Sequence, residues 1–395
     1  MPGPLAGVRV LDFTVFQQGP QATLVMADMG ADVVKIEAPV FGDFGRLLQR
    51  VGPNQESSYH LAHSRGKRSI TLNLKNEQAR DVVRRLVPSA DVFVHNFRPG
   101  VMEKLTLGYD DVRPLNERII YAEASGWGPA GPKREHPAFD IAAQARSGLM
   151  SMTGEADGGP LPVGVAIADY VGAMNLAMSV IAALYARERT GKGQRIESSL
   201  YGSAIASQAW ELQTWMMGGA KRRGGRGHAY LPTIWRTFKT KDGWAVVGGV
   251  GDDRWPAFCA ALGTPELEHD ERFANGLGRA VHLYELYDIL DDKFESKTTA
   301  EWMELLEAHD MICAPVADYD DVRADEQARA NEYIVEVEHP TAGRIDVVGH
   351  PWRFSETPAQ VAPGAPELGQ HTEEVLLEAG YTWDEIVALK EAGAI

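Results

Sequence analysis

The sequence contains only two cysteines, Cys259 and Cys313, in a chain of 395 residues. They provide neither a disulfide framework nor the paired spacing of a zinc site. This cysteine usage predicts a reducing, cytoplasmic setting and no bound metal. The chain also lacks a charged leader followed by an apolar run, and we expect no segment to reach the length of a membrane span. The sequence therefore predicts no membrane association.

Positive charge is also scarce, with 39 Lys and Arg residues against 55 Asp and Glu residues and a net charge of −16. A chain with this balance is not expected to bind nucleic acid, and any anionic ligand must find a local basic cluster. The length is sufficient for two domains with cores of their own.

Several catalytic motifs are missing. There is no G-x-S-x-G and no H-E-x-x-H, and the segment TGKGQ has Gly193 where a Walker loop requires Ser or Thr. A strand–helix–strand opening followed by Glu37 suggests a dinucleotide site, but the turn QQGPQA has one glycine instead of the G-x-G-x-x-G fingerprint. Binding of NAD is therefore disfavoured.

Strands and helices alternate through the first half of the chain. This alternation predicts an α/β fold, with a Rossmann-like large domain built on a mostly parallel sheet. The expected strands are residues 8–12, 32–37, 69–74, 91–95, 118–123 and 194–200, and the expected early helices are residues 19–30, 77–86 and 101–105.

A smaller α+β domain is expected in the second half. A helix over residues 201–217 ends the large domain, residues 1–217, and the glycine-rich residues 218–227 read as a linker. The smaller domain, residues 228–322, begins with a hairpin whose strands, 235–240 and 244–248, are joined by KDG. Helices are expected near 254–262, 281–294 and 299–309, then two strands within 333–354 and a helical tail over 372–391.

Residues 169–190 form the best-defined helix in the sequence. Its apolar positions run almost all the way round, which is typical of a buried core helix. Asp169 stands at its start, where an aspartate commonly caps the first turn. A carboxylate there can also be a nucleophile kept ionised by the helix dipole. Position alone leaves both interpretations open.

Basic and glycine-rich patches follow several predicted strands. They are SRGKRS at 64–69, Lys75, NFRPG at 96–100 with Lys104, and VGGVGDD at 247–253. The loop over residues 125–162 is rich in glycine and proline. In α/β proteins such loops at the carboxyl ends of strands hold the functional site.

These patches, with GVRVLDFT, GADVVKIE, RGKRSITLNLK, DVFVHNFRPG, PAFDIAAQARSG and PELGQHTEEVL, resemble the class III CoA transferases of the formyl-CoA:oxalate and carnitine CoA-transferase (CaiB/BaiF) type. The resemblance covers nearly the whole chain. It implies that residues 323–395 return to complete the large domain and that two chains interlock as a homodimer. It also implies coenzyme A and acyl-CoA as substrates, with a carboxylic acid partner and no permanently bound cofactor.

The resemblance assigns catalytic roles residue by residue. Asp169 matches the family nucleophile, which passes CoA between acids through aspartyl anhydride and aspartyl-CoA thioester intermediates. Gln17 matches a glutamine that contacts the reacting acyl group, although from local sequence it equally suits a cap of the next helix. Asp140 matches an acidic residue near the nucleophile. Gly248 and Gly249 match a mobile glycine-rich loop over the intermediates.

The resemblance also assigns CoA-binding positions. They are Gln18, Leu72, Asn73, Leu74, Lys75, Asn96, Phe97, Arg98 and Lys104. Two departures from the formyl-CoA enzyme type stand out. Ala38 replaces a basic residue, so Arg46 or Arg65 is the expected substitute. Phe139, at a cofactor-binding position, replaces a tyrosine and removes a hydroxyl.

Two alternative functions remain open. A 2-methylacyl-CoA racemase of the same fold uses a histidine directly before the aspartate that Asp140 matches. Here that residue is Phe139, and His136 lies three positions earlier. A non-catalytic acyl-CoA-binding protein would need no carboxylate beside the thioester. For a transferase we expect a small carboxylate or dicarboxylate acceptor and a donor such as succinyl-CoA.

Overall fold

The computed structural model describes residues 2–52, 54–155, 158–219 and 225–395. It divides the chain into a large unit, Met1–Ser147, Gly164–Gln208 and Glu326–Ile395, and a small unit, Gly148–Val163 and Ala209–Asp325. The second segment of the large unit ends at Gln208, before the expected domain boundary at residue 217. Residues 148–163, which were expected in the large domain, belong to the small unit. The return segment begins at Glu326 instead of residue 323.

The predicted single helix over residues 201–217 is wrong. Two helices occur there, Leu200–Ala206 and Ala209–Met216. Between them, the Ser207 hydroxyl and the Gln208 side-chain amide both donate to the carbonyl of Ala204. Polar side chains that bond to the last carbonyls of a helix compete with its continuation. The unit boundary lies at this break.

Six parallel strands form the sheet of the large unit, in the order β3-β2-β1-β4-β5-β6. Val10 of β1 is paired with Val33 on one side and Val92 on the other. This is the Rossmann strand order, and it confirms the predicted α/β fold with a parallel sheet. The strands are β1 (Arg9–Asp12), β2 (Asp32–Glu37), β3 (Arg68–Thr71), β4 (Val92–His95), β5 (Ile120–Ser125) and β6 (Gln194–Ser199).

Helices cover both faces of this sheet. One face packs against Glu77–Leu86 and the two tail helices, and the other packs against Gln18–Asp28 and Ile167–Thr190. The large-unit helices are Gln18–Asp28, Ser58–Ser64, Glu77–Leu86, Val101–Lys104, Tyr109–Val112, Asp140–Ser147, Ile167–Thr190, Leu200–Ala206, Glu326–Ala330, Thr372–Glu378 and Trp383–Glu391, with single 3₁₀ turns at Phe44–Leu47, Val87–Ser89 and Arg113–Leu115.

The helix Ile167–Thr190, called the central helix below, is long and apolar enough to cross a membrane, with a mean hydropathy of 1.6 over its most apolar window. The expectation that no segment reaches that length is therefore wrong. Leu176 and Val180 are nevertheless fully buried against the sheet. The apolar composition thus serves the core of the large unit.

The predicted single tail helix is interrupted. Gly380 adopts a left-handed φ of 80° and ends Thr372–Glu378 in the manner of a glycine C-cap. Thr382 then caps Trp383–Glu391 through a reciprocal bond with Glu385. Before the tail, β10 (Ile334–His339) and β11 (Gly343–Val348) pair antiparallel, as the sequence predicts.

The small unit has a three-stranded antiparallel sheet, in the order β9-β8-β7. Its strands are β7 (Trp235–Lys239), β8 (Trp244–Gly248) and β9 (Ile312–Pro315). The hairpin predicted around KDG is confirmed by the pairing of β7 with β8. The small-unit helices are Leu149–Met152, Ala209–Met216, Trp255–Leu262, Glu266–His269, Gly276–Val281, Leu283–Phe294, Thr299–Glu307 and Tyr319–Ala324.

Candidate active site

A cavity of about 310 Å³ opens at the carboxyl edge of the parallel sheet in the large unit. The loops after β1, β4 and β5 and the first turn of the central helix form its wall. In Rossmann-like folds this edge, where the strand order reverses between β1 and β4, is the usual ligand site. The cavity brings together seven of the predicted site residues: Gln17, Gln18, Asn96, Phe97, Arg98, Phe139 and Asp169.

Asp169 is the third residue of the central helix, and Ala166 occupies the N-cap position. The capping interpretation of Asp169 is therefore wrong. The cap comes from Asp140, whose Oδ1 accepts hydrogen bonds from the backbone N–H of Ala168 at 2.7 Å and of Asp169 at 3.4 Å. A carboxylate at a helix N-terminus satisfies free N–H groups and complements the dipole. Asp169 is thereby left available for another role.

The environment of Asp169 raises the pKa of its carboxyl group to about 7. Burial is the main cause, the negative charge of Asp140 adds to it, and a backbone hydrogen bond from Gln18 opposes it. The expectation that the helix dipole keeps this carboxylate ionised is therefore corrected. Near pH 7 both the protonated and the ionised forms are populated. Strongly shifted carboxyl groups in clefts are typical of catalytic sites.

The loop after β1 is held rigidly beside Asp169. The Asn96 side chain receives a hydrogen bond from the backbone N–H of Val15 at 2.8 Å and donates to its carbonyl at 2.7 Å. Phe16 has a left-handed φ of 61°, which is costly for an aromatic residue. The N–H of Phe16 donates to Asp43, and Asp43 is ion-paired with the fully buried Lys35. The buried pair supports the backbone that leads into Gln17.

Gln17 and Gln18 begin the helix Gln18–Asp28. Gln17 occupies the N-cap position, but its side chain makes no capping hydrogen bond, so the capping alternative is wrong. Both side chains line the cavity and both are buried. Gln18 packs against Gly172 of the central helix, where an added Cβ would lie 2.8 Å from Gln18 Nε2.

Other predicted CoA-binding residues lie outside this cavity. Leu72 is in the core and Leu74 packs against it, while the Asn73 side-chain amide donates to the carbonyl of Gly393. Lys75 and Lys104 are exposed. Their contact with CoA stays a prediction.

Arg65 and Arg46, the two expected substitutes for the basic residue at position 38, do not line the cavity either. Arg65 is buried in an ion pair with Asp28 at 2.6 Å. Arg46 makes a bidentate pair with Glu37 and holds the pKa of that carboxyl group at about 2, despite burial that opposes ionisation. Both guanidinium groups are thus engaged by internal carboxylates, as expected for charges in a low-dielectric interior.

Gly248 and Gly249 lie at the carboxyl end of β8 in the small unit. Gly249 has a left-handed φ of 68°. Their predicted role as a loop over the aspartyl intermediates stays a prediction.

The other residues that line the cavity include Phe16, Tyr59, Ser125 and Arg134, to which sequence reasoning gave no role. Arg134 lies in the loop over residues 125–162, whose glycine- and proline-rich composition predicts a site loop. That composition could have indicated Arg134 as a site residue. Tyr59 reaches the cavity from the helix Ser58–Ser64, and burial, with a smaller effect from the charge of Asp169, raises its pKa. Among the described residues, no group of three His, Cys, Asp or Glu side chains could hold a metal ion.

Comparison with known proteins assigns the chain to a family. The profile of CoA-transferase family III matches residues 5–372. The chain belongs to this family. A succinyl-CoA:glutarate CoA-transferase from Mus musculus is 36% identical over 377 residues, with 95% of this chain and 86% of the relative covered. A formyl-CoA:oxalate CoA-transferase from Streptomyces coelicolor is 34% identical over 411 residues, with 99% of both chains covered.

Solved structures agree with this assignment. The crystal structure of a CAIB/BAIF family protein from Brucella suis superposes with a TM-score of 0.85 at 29% identity, over 96% of this chain and all of that chain. The resemblance deduced from the sequence motifs is therefore confirmed. The protein is a family III CoA-transferase, an enzyme class that uses CoA thioesters as substrates.

Proposed function

We propose that this CoA-transferase moves CoA from an acyl-CoA donor to a carboxylic acid acceptor through covalent intermediates on Asp169. The observation that carries the proposal is the position of this carboxyl group. It lies in the cavity at the carboxyl edge of the sheet, freed from capping by Asp140, with two buried glutamine side chains beside it.

The chemistry requires only a carboxylate, a thioester and an acid. The ionised Asp169 attacks the carbonyl carbon of the acyl-CoA, the C–S bond breaks, and CoA leaves as a thiolate from a mixed anhydride. The thiolate then attacks the aspartyl carbonyl of the anhydride and releases the first acid. The acceptor acid attacks the resulting aspartyl-CoA thioester, and CoA returns through a second anhydride. The reaction therefore converts the donor thioester and a free acceptor acid into the acceptor thioester and the free donor acid.

A small dicarboxylate acceptor, with succinyl-CoA or a similar donor, suits the charges of the cavity. Arg98 and Arg134 line it, and within the described part of the chain neither forms an ion pair with a carboxylate. Guanidinium groups bind carboxylates and phosphates strongly. We assign Arg98 to CoA and Arg134 to the distal carboxylate of the acid. The names of the mouse and Streptomyces relatives, which include glutarate and oxalate, support this substrate class.

The remaining assignments follow the family resemblance. We propose that Gln17 contacts the acyl group, that residues 72–75 and Lys104 bind CoA, and that Gly248 and Gly249 cover the intermediates. We also propose a cytoplasmic homodimer.

Mass spectrometry tests the nucleophile directly. The protein is mixed with succinyl-CoA or acetyl-CoA without an acceptor acid, and a parallel sample receives hydroxylamine. We expect a CoA-sized adduct on the peptide that contains Asp169, which hydroxylamine converts to a hydroxamate. The Asp169→Ala variant should bind CoA within a few-fold of wild type and form no adduct. An adduct that persists in this variant would contradict the assignment.

The racemase alternative has its own readout in the same samples. If Asp169 and a second group exchange a proton at the α-carbon, a 2-methylacyl-CoA incubated in D₂O gains deuterium and no adduct forms. Binding of CoA without adduct or exchange would instead favour a non-catalytic binding protein.

A further inference from the structure

The side-chain amide of Gln18 is a buried donor without a partner. Gln18 is 3% exposed, and its Nε2 makes no hydrogen bond to any residue that the structure describes. Buried polar groups in native proteins are nearly always hydrogen-bonded, and an exception calls for an explanation. Because Gln18 lines the cavity that contains Asp169, a bound ligand can supply the missing acceptor.

The position of this amide is fixed relative to Asp169. Gln18 packs over Gly172, which lies three residues after Asp169 and so on the same face of the central helix. The absence of a side chain at Gly172 creates the space that Gln18 Nε2 and Cδ occupy. The backbone of Gln18 also lies close enough to the Asp169 carboxyl group to lower its pKa. Gln18 therefore adjoins the nucleophile through its backbone, and its side chain places a buried, unpartnered donor against the helix that carries Asp169.

We infer that the Gln18 side chain donates its Nε2–H to the carbonyl oxygen of the acyl group that Asp169 attacks. The inference rests on the proposed function. When an Asp169 oxygen bonds to the carbonyl carbon, the C=O electron pair moves to the oxygen, which becomes an oxyanion. The Gln18 amide stabilises that charge. When the C–S bond breaks, the pair returns to re-form C=O, and CoA leaves as a thiolate, so no proton or electron is gained from elsewhere.

A preorganised donor of this kind acts mainly on the transition state. A donor in a water-excluded site stabilises developing charge more strongly than a donor in water does. Removing one such donor typically slows the reaction about 100-fold to 1,000-fold. The family resemblance places Gln18 among the CoA-binding positions, and the inference narrows that role to the acyl oxygen of the bound acyl-CoA. The contact of Gln17 with the acyl group remains part of the proposed function.

The Gln18→Met variant tests the inference with two readouts. Methionine has a similar length and no donor, so the rate of adduct formation with succinyl-CoA should fall about 100-fold or more, while CoA affinity stays within about threefold of wild type. The melting temperature should remain equal or rise, because an unsatisfied buried donor has been removed. Gln21→Met, on the same helix but outside this cavity, is the matched control and should keep the wild-type rate.

A second variant leaves Gln18 in place. Gly172→Ala puts a Cβ 2.8 Å from Nε2 and displaces the amide, so the adduct rate should fall by a similar factor. Gln18→Met with a rate within threefold of wild type would overturn the inference. A rate loss accompanied by an equal loss of folded protein would also overturn it, since the role would then be structural. Wild-type protein that forms no adduct at all would overturn the proposed function itself.

Discussion

At the residue scale, the central property of this protein is a carboxyl group that burial makes hard to ionise. Asp169 stands against the sheet edge beside the negative charge of Asp140, and its pKa is about 7 instead of the ordinary 3.8. Functional groups of this kind are often retained at a cost in stability. The nucleophile is therefore expected to destabilise the fold in its ionised form.

Replacing Asp169 by Asn should stabilise the protein at neutral and alkaline pH. The folded-state pKa is raised, so between about pH 4 and pH 7 the folded protein holds a proton that the unfolded chain has lost. In the wild type, the contribution of Asp169 to the free energy of unfolding therefore falls as the pH rises from about 4 to about 7. We expect the Asp169→Asn melting temperature to exceed wild type by roughly 2–8 °C at pH 8, and the difference to vanish below about pH 4.

Thermal unfolding across this pH range measures the effect. Asp110→Asn, which changes an exposed carboxylate in the helix Tyr109–Val112, is the control and should follow wild type. If the melting temperatures of wild type and Asp169→Asn change with pH in the same way, folding does not raise the pKa of Asp169.

At the element scale, the first turn of the central helix depends on a neighbouring helix. Asp140, the first residue of Asp140–Ser147, caps it, and the Gln144 side chain donates to the other Asp140 oxygen at 2.6 Å. The same carboxylate thus orders the backbone at Asp169 and raises the pKa of Asp169 through its charge. Asp140 therefore affects both the backbone conformation at Asp169 and the ionisation of the Asp169 side chain.

Two substitutions at Asp140 separate these effects. Asp140→Asn keeps an acceptor for the N–H of Ala168 but removes the charge, so the pKa of Asp169 should fall. The wild-type rate of adduct formation should rise with pH to a midpoint near 7, and this variant should shift the midpoint to lower pH. Asp140→Ala also loses the cap and should destabilise the protein by about 0.5–2 kcal/mol. An unchanged midpoint in Asp140→Asn would contradict the electrostatic argument.

At the scale of the whole molecule, the central helix has a face that the described residues of the chain leave exposed. Met174, Met178 and Tyr185 form an apolar surface with Trp352, and Met178 is 63% exposed. Apolar patches of this kind commonly mark protein interfaces. This surface supports the proposed homodimer.

Met178→Glu should weaken that dimer. A charge placed in an apolar interface loses hydration without gaining a partner, so the variant should sediment as a monomer at concentrations where wild type is a dimer. Met178→Leu keeps the surface apolar and should remain dimeric. Analytical ultracentrifugation measures both, and a Met178→Glu variant with the wild-type mass would exclude this face from the interface.

The sequence by itself determined the parallel α/β fold, the core helix, the family and seven of the residues around the cavity, because these depend on periodicity and on local motifs. It did not determine that Asp140 caps the helix of Asp169, that Arg65 and Arg46 pair with internal carboxylates, or that Gln18 has an orphan donor over Gly172. Each depends on contacts between different elements of the fold, and three of the four join residues at least 28 positions apart. Only tertiary packing fixes which charges meet and which groups lose water, and these two effects control pKa and hydrogen bonding.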